Sequence, residues 1–152
     1  MANMTDQNLV NALLQAMFTA STTATFTPGT GGGSAIVFTP PYKLRLMTAT
    51  GSNTSNGTEA TGVNCPGYTA GGSSLGSSAL GAPSAGVQSN NNSVSWSATG
   101  SWATITGIEI WDSAGTPLRR LQGALTSNIT GVANGDTVQF AAGSITANAS
   151  AW

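Results

Sequence analysis

Glu109 and Asp112 are the only closely spaced acidic residues in the chain. Two carboxylates can hydrolyse a glycosidic bond when they flank it at the correct separation, so this pair is the first candidate for chemistry. The pattern places Glu109 on a β-strand and Asp112 at the start of a turn, where an aspartate commonly accepts hydrogen bonds from its own backbone. The favoured interpretation of Asp112 is therefore a turn residue, and a hydrolytic enzyme is an alternative.

The composition gives little support to nucleophilic catalysis or metal binding. The chain has no histidine and one cysteine, which excludes a Ser-His-Asp triad, an internal disulfide and a Cys/His zinc site. Lys43 is a poor candidate base on an exposed strand face. Cys65 lies in a turn-like segment without a basic neighbour that would lower the pKa of its thiol, so we interpret it as inert. No cofactor, metal site or enzymatic activity is predicted.

Charge is sparse, with four basic and five acidic side chains in 152 residues and a net charge of −1. Nucleic-acid binding requires clustered Lys and Arg, so it is not expected. The apolar run near the N-terminus is interrupted by Asn11 and Gln15, and neither a membrane span nor a signal peptide is predicted. A weakly charged surface causes little repulsion between copies, which permits a homo-oligomer, expected as a dimer or trimer.

The clearest structural pattern is a β-hairpin. Ile108 and Ile110 alternate with polar or small residues, residues 112–117 supply turn chemistry, and an extended pattern resumes at residues 118–125. A second turn, at residues 134–136, separates short apolar runs around Ile129 and residues 138–140.

Further segments complete an all-β pattern. A helix is predicted from Thr5 or Asp6 to about Thr19, and its apolar face either covers its own domain or docks on a neighbouring subunit. In the expected strand at residues 42–48, Leu44, Leu46 and Thr48 share one face, and Lys43, Arg45 and Met47 share the other. Other strands are expected at residues 35–39, 93–99 and 144–149. Residues 51–86 should be irregular, with short strands near Tyr68 and at residues 75–80.

These elements predict an antiparallel β-sandwich of jelly-roll or related topology, with one N-terminal α-helix and long Gly/Ser/Thr-rich loops. Residues 1–34 would form the helix and a Gly-rich arm, and residues 35–152 the sandwich domain. The strand aromatics could stack on sugar rings, but packing in the core or at subunit interfaces is favoured; they are Tyr42, Tyr68, Trp96, Trp102 and Trp111. The candidate interface residues are Leu9, Leu13, Met17, Phe18, Tyr42, Trp96, Trp111 and Trp152.

Three C-terminal segments carry a family resemblance: residues 102–112 (WATITGIEIWD), 123–126 (GALT) and 135–143 (GDTVQFAAG). In this region the chain resembles small bacteriophage virion proteins that are labelled tail-fibre or head-decoration proteins. The helix and residues 57–68 match the same layout more loosely. The resemblance implies a structural, non-enzymatic phage protein with a β-sandwich body.

Two features favour a cement protein on the capsid surface, assembled in the host cytoplasm. The chain lacks a long fibrous repeat, and its domain is small. Its partner would be the major capsid protein, whose shell it would stabilise. The alternative is a tail-fibre or receptor-binding module that recognises a host-surface glycan. A carbohydrate-binding module or glycan-hydrolysing enzyme is the less favoured alternative.

Overall fold

The computed structural model describes residues 7–19, 23–27, 35–76 and 79–148, with the backbone alone for residues 7–10. One α-helix, continued by a π-helical turn, precedes a series of strands, which confirms the all-β prediction. Their bounds are α1 Gln7–Leu14, the π-helical turn Gln15–Thr19, β1 Ala24–Phe26, β2 Ile36–Phe38, β3 Tyr42–Ala49, β4 Thr58–Glu59, β5 Ser73–Gly76, β6 Val87–Ser89, β7 Val94–Ser97, β8 Ile105–Trp111, β9 Arg119–Ile129, β10 Thr137–Phe140 and β11 Thr146–Asn148.

The predicted hairpin is the pair β8–β9, and it supplies two of the five strands of a central sheet. The strand order in this sheet is β4-β3-β8-β9, and β5 also pairs with β3. The antiparallel register sets Leu44 opposite Ile110, which in turn lies opposite Leu121. Because side chains alternate along a strand, these three residues face the same side of the sheet, toward the core.

Two smaller antiparallel ladders, β6–β11 and β7–β10, supply the opposing layer. Ile110 and Leu121 of the central sheet line a recess together with Ile145 and Ala147, which lie just before and within β11. Trp96 and Val138 pair across β7 and β10 and belong to the same buried cluster. The arrangement is consistent with the predicted sandwich.

The turn at residues 134–136 forms, but it does not join a hairpin of β9 and β10. Gly135 N donates to Ala98 O at 2.9 Å, and Ala98 N donates to Asp136 O at 2.8 Å. These bonds direct β10 onto β7, with which it pairs over its whole length.

The N-terminal helical segment packs on its own chain in the described residues. Leu14 and Phe18 are buried in the core, and the Phe18 ring lies 5.5 Å from that of Tyr42. The Tyr42 hydroxyl donates to Met17 O, and Gly86 N donates to Asn11 Oδ1 at 2.9 Å. These contacts therefore support the first of the two predicted roles of the apolar face, in which the helix covers its own domain.

The structure corrects several local predictions. Tyr68 is buried but lies outside any strand, and the strand predicted at residues 75–80 is instead β5 at Ser73–Gly76. Met47 is 1 % exposed although it points to the face predicted to be open. The reason is that residues 51–57 fold back over this face, where Gly57 lies against the Met47 side chain. β1, in the predicted N-terminal arm, pairs antiparallel with β2.

Candidate functional site

Glu109 is the centre of a buried polar cluster on the face of the central sheet that bears Arg45 and Met47. Its side chain is 1 % exposed, and Arg119 Nη1 lies 3.0 Å from its Oε1. Gly57 N donates to the same oxygen at 2.8 Å, while Trp111 Nε1 donates to Oε2 at 2.9 Å. Both carboxylate oxygens are thus hydrogen-bonded, as a buried charge requires.

Arg119 extends this cluster to the loop at residues 51–57. Its Nη1 donates to Ser55 O at 2.7 Å and to Gln122 Oε1 at 3.0 Å, and its Nη2 donates to Ser52 O. A guanidinium offers several donors in a fixed plane, so one side chain can hold a carboxylate and two carbonyls at once. Arg119 therefore fastens the loop to the sheet.

Asp112 organises the turn between β8 and β9. Its Oδ1 accepts hydrogen bonds from Leu118 N at 2.8 Å and Ala114 N at 3.4 Å, and Arg120 Nε donates to its Oδ2 at 2.8 Å. The predicted role of Asp112 as a turn residue is confirmed. Its buried carboxylate forms an ion pair with Arg120, whereas Glu109 is paired with Arg119.

Arg120 links that turn to β2. Its Nη2 donates to Val37 O, and its guanidinium lies 4.5 Å from the centre of the Phe38 ring. Ser113 N donates to Thr39 O at 2.9 Å beside it. These contacts hold the short β2 strand against the hairpin turn.

Glu59 anchors a third connection on the same face as Glu109. Its Oε2 lies 3.1 Å from Arg45 Nη1, and its Oε1 accepts from the Tyr68 hydroxyl at 2.8 Å and from Gly71 N at 2.7 Å. Burial raises the pKa of Tyr68 above its usual range, and the hydrogen bond to the Glu59 carboxylate raises it further. Arg45 also stacks 4.1 Å from the centre of the Trp111 ring.

The geometry of these three acids is typical of structural ion pairs, since each carboxylate is bound by an arginine and by backbone or side-chain donors. Cys65 is fully buried, and burial raises the pKa of its thiol, in line with the inert interpretation. In the described part of the chain, no group of three or more Cys, Asp or Glu side chains could hold a metal ion. No helix among the described residues is long and apolar enough to cross a membrane.

The β9 strand ends the central sheet and contributes the most open surface of the hairpin. Among the described strands it pairs with β8 alone. Gln122, Gly123 and Ala124 are exposed, and two recesses of about 60 and 170 Å³ flank them. Both recesses reach the half-buried side chain of Ile108.

Residues 29–148 match the family model described as podophage GP4 fiber I protein gp80. The chain belongs to this family. It is therefore a structural protein of a phage virion, which confirms the resemblance drawn from its C-terminal segments. A search of curated proteins finds no match to the chain.

In this member of the gp80 family, four of the predicted interface residues lie in the domain core. Phe18 and Tyr42 are 1 % exposed, Trp96 is 6 % exposed and Met17 is 9 % exposed. The Trp96 ring packs against that of Phe140 at 6.3 Å. An intersubunit contact through these four side chains would require the core to open, so their burial supports the core interpretation that the sequence favoured for the aromatics.

The other predicted interface residues have different surroundings. Leu13 is half-buried and packs against the core, and Trp111 is half-buried beneath Arg45. The side chain of Leu9 and the whole of Trp152 lie outside the described residues. The interface role of these four residues stays a prediction.

Sequence reasoning did not identify Arg119, Arg120 or Glu59 as organising residues. The two arginines directly follow the hairpin turn. Asp112 opens the turn, and Glu109 lies in the strand before it. Opposite charges on neighbouring strands of a hairpin are a recognisable pairing signal. Glu59, in contrast, lies in the short strand β4, and nothing in its local sequence indicates that it meets Arg45.

Proposed function

We propose that the chain is a non-enzymatic fibre component of the phage virion, which acts by binding other virion proteins. The observation that carries this proposal is the match of residues 29–148 to a fibre-protein family model. The matched range includes β2 to β11, and so both layers of the sandwich.

The ion pairs suit a protein that binds other virion proteins. Arg119 fixes the loop at residues 51–57, Arg120 fixes β2, and Glu59 fixes the segment near Gly71. Loops that are held in place before binding lose less conformational entropy when a partner docks. The surface that meets neighbouring virion proteins would thus be largely preorganised.

A cement protein that binds the major capsid protein on the capsid surface is the second candidate. It is favoured by the compact form of the described residues, a small sandwich that could repeat over a shell. A protein that binds only the assembled shell stabilises that shell by its binding free energy, and many copies add through avidity.

Recognition of a host-surface glycan by the fibre has weaker support. Sugar-binding surfaces use exposed aromatic faces, but Tyr42, Tyr68, Trp96 and Trp102 are all buried. Trp111 is half-buried, and Arg45 lies over its ring.

The copy number of the protein in purified virions tests the proposal. Quantitative mass spectrometry should give a number close to that of other tail and fibre proteins, and electron microscopy with an antibody against the chain should label the tail. A copy number close to that of the major capsid protein, with label over the head, would overturn the fibre assignment. In that case, heads that lack the protein should burst at a lower temperature than complete heads.

A further inference from the structure

The sequence contains two Asn-Gly dipeptides, Asn56-Gly57 and Asn134-Gly135. An asparagine side chain deamidates most readily when glycine follows it, because glycine has no side chain to hinder attack by its own backbone nitrogen. Both asparagines are exposed, so water reaches their carboxamides. The state of the following glycine nitrogen therefore decides whether either one reacts.

The fold requires glycine at both positions. At Gly57, an added Cβ would lie 2.6 Å from Ala49 O and 2.9 Å from Gly51 N. Gly135 has a φ of 91°, a backbone conformation that residues with a side chain disfavour. Replacing either glycine to slow deamidation would therefore strain the fold.

The two glycine nitrogens are held by different acceptors. Gly135 N donates to Ala98 O at 2.9 Å, a main-chain bond beside the β7–β10 ladder. Gly57 N donates to Glu109 Oε1 at 2.8 Å, and thus to a side chain. A hydrogen-bonded N–H group reacts through an opened state, so its rate follows the free energy of opening. The first bond opens with the ladder, whereas the second opens with the loop at residues 51–57 alone.

Arg119 controls the opening of this loop. Its Nη1 lies 3.0 Å from Glu109 Oε1 and donates to Ser55 O at 2.7 Å. Its Nη2 donates to Ser52 O. One guanidinium thus holds the loop and also the carboxylate that accepts from Gly57 N, and hydrogen bonds to charged groups are stronger than those between neutral groups.

We propose that Asn56 is a latent deamidation site, which the Glu109–Arg119 ion pair keeps closed and which reacts when the loop at residues 51–57 opens. In the reaction, Gly57 N loses its proton to solvent and forms a bond to Asn56 Cγ. The Cγ–Nδ2 bond breaks, and Nδ2 leaves as ammonia after it takes up a proton. One water molecule then opens the succinimide ring, which gives aspartate or isoaspartate.

The isoaspartate product would keep the loop open. It inserts one additional carbon into the main chain before Gly57 N, so the bonds of Gly57 N to Glu109 and of Ser55 O to Arg119 no longer fit together. It also places a new carboxylate near that of Glu109, and like charges repel. Deamidation thus makes a reversible opening permanent. The inference rests on the fold and is independent of the proposed fibre function.

The test compares the full chain with the variants Arg119→Met and Arg120→Met. Arg120→Met is the matched control, since it breaks the buried ion pair with Asp112 and leaves the bonds of Arg119 to the loop. All three proteins are incubated at neutral pH, with folding checked by circular dichroism. Peptide mapping by mass spectrometry gives the deamidation rates of Asn56 and Asn134. Asn134 reports opening of the β7–β10 ladder, so the ratio of the two rates isolates the loop.

In the folded wild-type chain, Asn56 should deamidate at least about tenfold more slowly than in the same chain unfolded in urea. Arg119→Met should raise the ratio of the Asn56 rate to the Asn134 rate by about tenfold or more, because the loop loses its hydrogen bonds to a charged group. Arg120→Met should leave this ratio within about twofold of the wild-type value, since its contacts lie elsewhere.

Equal Asn56 rates in the folded and the unfolded wild-type chain would overturn the proposal, because the site would not be closed. A ratio that is the same in Arg119→Met and Arg120→Met would overturn the role of the ion pair. If Arg119→Met does not fold, Arg119→Lys takes its place: it keeps the charge beside Glu109 but lacks the planar set of donors that reaches both loop carbonyls. Its ratio should rise as well, and an unchanged ratio would count against the proposal.

Discussion

Replacing Arg119 with methionine should destabilise the domain strongly, since it leaves the buried Glu109 carboxylate without its cation. Glu109 is 1 % exposed and Arg119 is 13 % exposed, so water can reach the acid only by opening the loop at residues 51–57. Removal of one partner from a buried ion pair typically costs about 3–5 kcal/mol. Because the arginine keeps some exposure, we expect a loss of about 3 kcal/mol in the free energy of unfolding.

Two further variants isolate the charge effect. Lys43→Met is the matched control, since Lys43 lies on the same face of the sheet and makes no ion pair with another described residue; its expected effect is within about 0.5 kcal/mol. The double variant Glu109→Gln with Arg119→Met should recover about 1–2 kcal/mol relative to Arg119→Met, because a neutral amide needs no counter-charge.

Urea unfolding, followed by tryptophan fluorescence at a fixed protein concentration, measures these differences. With a urea dependence of about 2 kcal/mol per molar, a loss of about 3 kcal/mol lowers the midpoint by about 1.5 M. The reasoning would be refuted if Arg119→Met unfolded at the same midpoint as Lys43→Met. It would also be refuted if the double variant were less stable than Arg119→Met.

Two other predictions concern a glycine and a tyrosine. Gly72→Ala should lower the free energy of unfolding by about 2 kcal/mol more than Gly71→Ala, as measured by the same urea unfolding. Both glycines have positive φ, but only at Gly72 would a Cβ lie 2.2 Å from Leu44 O. Equal losses in the two variants would contradict this prediction. Burial raises the pKa of Tyr42 from 10.0 to about 12, so its contribution to stability should be complete below pH 10 and be lost as the pH rises to about 12. Stability measured across this range should fall less steeply in Tyr42→Phe than in the wild-type chain, and parallel curves would argue against this assignment.

The hairpin and its turn were predictable because their determinants are local. Ile108 and Ile110 alternate with smaller or polar residues over β8, and Asp112 makes its turn contacts within six residues of chain. Alternation and turn chemistry act over such distances, so they can be recognised in the sequence without knowledge of distant partners.

The strand pairing of β10 and the burial of Met47 were not predictable in this way. β10 pairs with β7, about forty residues earlier, and local patterns do not encode which of several strands becomes the neighbour. Met47 is covered because Arg119 holds the loop at residues 51–57 over it, a contact between segments more than sixty residues apart. For the same reason, the burial of Tyr42 and Trp96 was expected only as one of two alternatives.

Because charged residues are scarce, neutral amide side chains hold some of the longer loops. Asn90 is 3 % exposed, and its amide nitrogen donates to Asn92 O and Ala141 O, while its oxygen accepts from Ile145 N at 2.8 Å. A neutral amide can replace an ion pair here because it offers both donors and an acceptor without the cost of burying a charge. Amides of this kind hold loops while adding no charge to the surface.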